Sequence, residues 1–139
     1  MMRALIVVGK YTYRVGSFIA NFIARDGVYE VILPMRDRNH ELAGEVVEGM
    51  GSQVHYVCVN NESPLIECVS FAIATGKPDV VLFITAAPTR EWLDAMYKVL
   101  RQRYFMGGRY IVYAAVVNRE NPQYLLNPLI AVEELSAKA

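Results

Sequence analysis

The residues best suited to chemistry lie where apolar runs end. After the first run the chain reads Gly9-Lys10-Tyr11-Thr12-Tyr13-Arg14-Val15-Gly16. Glycines in a strand-to-helix turn let the backbone approach a pyrophosphate at the positive end of the helix. Gly9 and Gly16 stand at the two ends of such a turn, and Lys10 and Arg14 supply cations that would meet a phosphate. Bulky Tyr11 and Tyr13 occupy the interior, and no Gly-Lys-Ser or Gly-Lys-Thr closes the segment, so it is not a P-loop. An ordinary turn with solvated charges is the competing reading. Arg36 and Arg38 follow the second apolar run, where a planar guanidinium can pair with an adenosine 2′-phosphate. A solvated loop of alternating charge accounts for them equally well. Thr85, after the fourth run, offers a hydroxyl to a ligand or to its own backbone. Cys58 and Cys68 show no metal or redox spacing and read as two separate buried hydrophobes. His40 and His55 lack an i, i+4 partner, so no metal site is expected.

These residues need a scaffold, and the patterning supplies one. Ala4-Leu5-Ile6-Val7-Val8 and Val80-Val81-Leu82-Phe83-Ile84 are continuous apolar runs, as expected of strands buried on both faces. Tyr29 to Leu33, Val54 to Val59 and Tyr110 to Val117 complete a set of five strands. Val15, Phe18, Ile19, Phe22 and Ile23 make a helical stripe that Gly27 should end. A second helix runs through Leu42, Val46, Val47 and Met50, with Gly49 and Gly51 at its end. A third is expected with Ser63 as N-cap, Pro64 in its first turn and Gly76 as its stop. Pro88 opens a long helix with Trp92, Leu93, Met96, Leu100 and Tyr104 inward, broken by Gly107-Gly108. Asn127 to Lys138 reads as a last helix, with Asn127 capping it and Pro128 in its first turn. Strand and helix alternate throughout. The expected fold is therefore a three-layer α/β Rossmann-type doubly wound sheet, with about five parallel strands in the order 3-2-1-4-5 and helices on both faces. The whole chain, residues 1–139, reads as a single domain. Its ligand crevice would lie at the carboxyl ends of the strands, where the winding reverses.

In this layout the chain resembles the N-terminal part of the short-chain dehydrogenase/reductase family, from Ala4 to about Leu135. Ala4 to Gly9 is similar to the family's first strand and first glycine, and Val31 to Arg38 to its second strand with the basic loop of NADP-preferring members. Gly76 to Leu82 is similar to the approach to the fourth strand. Tyr110 to Ala115 is similar to the fifth, which in the family ends near the catalytic serine. The resemblance implies NADP as the cofactor, held by Gly9, Lys10, Arg14, Gly16, Arg36, Arg38 and Thr85. It implies Tyr124 as the counterpart of the catalytic tyrosine, and a homodimer through the helix 88–105. The departures fall on the chemistry. Tyr13 and Val15 replace turn glycines, and Ile84-Thr85-Ala86-Ala87 stands where the family has Asn-Asn-Ala-Gly. Ala114 or Ala115 stands at the serine position. Pro128 occupies the place of the lysine that would lower the tyrosine's pKa, and a phenol near its usual value of about 10 is a poor acid–base group at neutral pH. Asn127-Pro128 as a helix start also sets Tyr124 in a loop before that helix.

Composition narrows the function classes. Fourteen basic and fourteen acidic residues balance, so no overall positive field marks a nucleic-acid binder. Charged residues interrupt every apolar run before it reaches membrane-spanning length. Met1-Met2-Arg3 and the short run after it do not form a signal peptide, and the cytoplasm is the expected compartment. The 54% hydrophobic content exceeds what a small soluble domain needs, which agrees with a covered subunit surface. The expectation is a non-catalytic or regulatory domain that retains weak nucleotide binding. An atypical NADP-dependent reductase, with Tyr124, Thr85 or Lys98 as acid, is the second reading. A dimerisation module with Tyr11 and Tyr13 filling the crevice is the third.

Overall fold

A computed structural model describes residues 2–59, 62–117 and 124–126, the last three by backbone alone. Strands β1 (Met2–Val8), β2 (Val28–Met35), β3 (Gln53–Cys58), β4 (Val80–Thr85) and β5 (Ile111–Val116) alternate with helices α1 (Tyr13–Asp26), α2 (Arg38–Gly49), α3 (Leu65–Gly76) and α4 (Arg90–Phe105). The five strands are parallel in the order β3-β2-β1-β4-β5. A short β6 (Tyr124–Leu126) adds an antiparallel edge, with Tyr124 opposite Val116. The register follows from the runs: Ala4 to Val8 lie beside Val80 to Ile84 at the centre of the sheet.

Pleating divides these central residues between two cores. Leu5, Val7, Val81 and Phe83 face α3 and α4. Ala4, Ile6, Val8, Leu82 and Ile84 face α1 and α2. All nine are buried, because both faces of the sheet are covered. Arg3 clamps the amino edge. Its Nε donates to Glu30 Oε2 at 2.8 Å, its Nη1 to the Gly76 carbonyl at 2.7 Å, and its backbone N–H to Asp79 Oδ2.

Several boundaries differ from the sequence reading. Gly27 does end α1, at φ 64°. Gly76 does not end α3 by its own conformation; Lys77 takes the left-handed position, at φ 47°. Gly76 is small for another reason, since a Cβ there would run into the Ile32 side chain. Ser63 does not cap α3. Pro64 holds that position without a side-chain bond, and Glu91 of α4 accepts from the Leu65 N–H at 3.1 Å instead. Tyr104 is half exposed and not on the inner face of α4. Tyr124 lies in strand β6, neither in a helix nor in a loop before one. The last helix expected over 127–138 falls outside the described residues.

The cysteines are not separate hydrophobes. Cys58 at the end of β3 and Cys68 in α3 are joined as a disulfide, with a Cα–Cα distance of 5.8 Å. Cys68 follows Cys58 by ten positions, and the α3 stripe returns to the strand end it packs against.

Candidate functional site

The winding reverses between β1 and β4, so the crevice of this fold lies above their carboxyl ends. Gly9 begins the loop on one side. Its N–H donates to the Ile84 carbonyl, and a Cβ on it would lie 2.5 Å from Thr85 Oγ1 and 3.1 Å from Trp92 Cδ1. The glycine therefore serves close packing between β1, β4 and α4. Trp92 is fully buried, donates its indole N–H to the Val7 carbonyl and meets Phe83 edge to face.

Thr85 is completely buried. Its hydroxyl accepts from the Lys10 N–H at 2.7 Å and the Ala87 N–H at 3.1 Å, and donates to the Ala87 carbonyl at 2.8 Å. The Ala86 N–H returns a bond to the Lys10 carbonyl. The two loops flanking the switch point are thus sewn together, and the hydroxyl has no remaining hydrogen to give a ligand.

Tyr11 lies over the amino end of α1. A Cβ on Gly16 would strike its hydroxyl. The phosphate cradle of a dinucleotide site would lie in this position. Thr12 caps the helix through the Val15 N–H. Burial, and then the charge of Glu45, hold the Tyr11 phenol above its usual pKa, which makes it a weaker acid at neutral pH. Tyr13, expected to share in filling the crevice, is 84% exposed. Lys10 and Arg14 are exposed on the same edge.

The second loop is tied to the first. Asp37 caps α2 by accepting from the His40 N–H at 2.7 Å, and its Oδ1 also meets His40 Nδ1 at 2.8 Å. His40 is fully buried, and its Nε2 accepts from the Val8 N–H at 2.9 Å. An accepting Nε2 places the ring proton on Nδ1, aimed at Asp37. Burial alone would raise the Asp37 carboxyl. It is outweighed by the hydrogen bond from the His40 side chain and by those from the His40 and Asn39 N–H groups, so the carboxyl stays below its usual value. Asn39 Oδ1 accepts from the Tyr11 N–H at 3.1 Å. The Arg36 guanidinium stacks 4.2 Å above the Tyr56 ring, while Arg38 is exposed at the start of α2.

The structure thus gathers Gly9, Lys10, Arg14, Gly16, Arg36, Arg38 and Thr85 along one carboxyl edge. Tyr124 is in β6, with only its backbone described. Ala114 and Ala115, at the expected serine position, are buried and carry no hydroxyl. Sequence reasoning missed the roles of Asp37, Asn39 and His40; Tyr11 it named, with Tyr13, as filling the crevice. An aspartate just before a helix was a legible capping signal. The bonds from His40 to Val8 and from Asn39 to Tyr11 cross between loops, and no local pattern carries them.

The fold is Rossmann-like. No family model and no curated protein sequence matches the chain. Among solved structures it is similar to a universal stress protein from Archaeoglobus fulgidus in complex with dAMP, with 15% identity, a TM-score of 0.48, and coverage of 82% of this chain and 97% of that one. It is similar to L-sorbose reductase from Gluconobacter frateurii, complexed with NADPH and L-sorbose, with 15% identity, a TM-score of 0.48, and coverage of 99% of this chain and 61% of that one. A third is glycinamide ribonucleotide transformylase 1 from Symbiobacterium toebii, with 14% identity, a TM-score of 0.39, and coverage of 68% and 47%. At this identity the likeness is one of layout.

Proposed function

We propose that the chain is a non-catalytic Rossmann-like domain whose dinucleotide crevice is closed by its own Tyr11. On this reading the similarity to short-chain dehydrogenase/reductases is one of layout without the chemistry. The observation that carries it is the Tyr11 hydroxyl lying against Gly16 at the amino end of α1. A phosphate needs that space, because the positive end of the helix is there. The commitment of the Thr85 hydroxyl to Lys10 and Ala87 supports the same reading. Lys10, Arg14, Arg36 and Arg38 remain as a cationic rim that attracts an anionic nucleotide weakly and without a cradle.

Calorimetric titration and thermal melting with NADPH, NADP and NAD test this. A ligand that binds only the native state raises the melting temperature once its concentration exceeds its Kd. No saturable binding is expected below roughly millimolar nucleotide, the range in which such a shift would register. Tyr11→Ala should open the place beside Gly16 and make NADPH binding measurable, and adding Arg36→Ala should weaken it again. Consumption of NADPH with any carbonyl substrate by the unaltered protein would overturn the proposal.

A further inference from the structure

The carboxyl-terminal half of α4 and the turn after it carry an exposed patch at the opposite end of the sheet from the crevice. Phe105 is 81% exposed and Met106 78%, and Tyr97, Tyr104 and Ile111 are each about half exposed. A turn holds the tip in place: the Met106 and Gly108 N–H groups both donate to the Gln102 carbonyl, and Gly107 adopts φ 76°. Lys98, Arg101, Gln102, Phe105 and Met106 line one shallow depression there. Their spacing of three and four places them on one helical stripe.

Charge on this patch is one-sided. Between Asp94 and Glu120 the chain has no acidic residue, while Lys98, Arg101, Arg103 and Arg109 all lie there. No carboxylate pairs with any of these four among the described residues. Cations without a carboxylate partner among the described residues thus stand beside the exposed side chains of Phe105 and Met106.

We propose that this patch is a peripheral docking surface for an anionic lipid bilayer, with Phe105 and Met106 entering the headgroup region and the cations Lys98, Arg101 and Arg109 meeting lipid phosphates. Exposed apolar side chains ringed by Lys and Arg suit that boundary, where burial of apolar area and attraction to anionic lipids act together. Tyr97 and Tyr104 present amphipathic rings suited to the same depth. Single-stranded nucleic acid fits less well. The Arg101 and Arg103 guanidiniums already lie over the Tyr97 and Tyr104 rings, at 5.9 and 5.3 Å, on faces that bases would stack against. A second copy fits less well too, because an isologous contact over this patch sets like charges against each other. This contact is peripheral: no described helix is long and apolar enough to cross a membrane.

The test is co-sedimentation of the full chain with phosphatidylcholine vesicles, with and without phosphatidylglycerol. Binding is expected only to the anionic vesicles, weakening as salt rises. Phe105→Ser with Met106→Ser, at positions too exposed to carry the fold, should abolish it while the melting temperature holds. Lys98→Gln with Arg101→Gln should weaken it roughly twenty- to thirtyfold, about fivefold per cation. Equal binding to both vesicle types, or anionic binding unchanged in both variants, overturns the proposal. So does tighter binding of a single-stranded oligonucleotide at the same salt, or a dimer in light scattering that Phe105→Ser dissolves.

Discussion

At the residue scale, two polar side chains, buried Thr85 and partly buried Asp37, hold the carboxyl edge. Thr85→Val preserves shape but removes the acceptor for the Lys10 and Ala87 N–H groups. Leaving these donors unpaired should cost about 2–4 kcal/mol, and Thr85→Ser should recover most of it in urea unfolding. Asp37 has two duties, capping α2 and orienting His40. Asp37→Ala should cost about 2–3 kcal/mol. Asp37→Asn separates charge from capping, because the amide oxygen still accepts. The folded carboxyl has a depressed pKa, so its ionic contribution is complete above the unfolded value of about 4. That contribution is lost as pH falls through the lower folded value. The stability gap between wild type and Asp37→Asn should therefore be widest above about pH 4 and close in acid.

At the element scale, β3 and α3 show how the fold fixes parts that local signals leave loose. The amino end of α3 has no side-chain cap of its own and uses Glu91 of α4. The disulfide fastens the same helix to the end of β3. Closing so short a loop should contribute about 2–3 kcal/mol through the unfolded chain. Cys58→Ala with Cys68→Ala, or reduction, should lower stability by that amount in denaturant titration. Amide exchange should rise first in the opening turn of α3, while β1 and β4 keep their protection. A uniform loss across the sheet would show that the bond supports the whole core and not one element.

At the scale of the whole molecule, the sheet order was legible because two fully apolar runs, Ala4 to Val8 and Val80 to Ile84, have to occupy central positions. Regular alternation with amphipathic stripes then leaves few ways to wind the helices. The helix ends were legible wherever the signal was intrinsic, as at Gly27. They were misread where packing decided, as at Gly76, whose role is to admit Ile32, and at Ser63, displaced by a glutamate from another helix. The carboxyl edge followed the same division. Its members could be named from the ends of the strands, but whether it stood open could not.

The sequence by itself determined the doubly wound layers, the central strands and the edge on which Gly9, Gly16, Arg36, Arg38 and Thr85 meet, because hydrophobic period and glycine placement act over a few residues. Only the tertiary structure decided that Tyr11 lies on Gly16, that Thr85 is consumed in sewing two loops, that His40 braces Val8 and that Cys58 reaches Cys68. Each of these depends on side chains from distant segments meeting within a few ångströms, a relation set by how the layers pack and not written in the spacing along the chain.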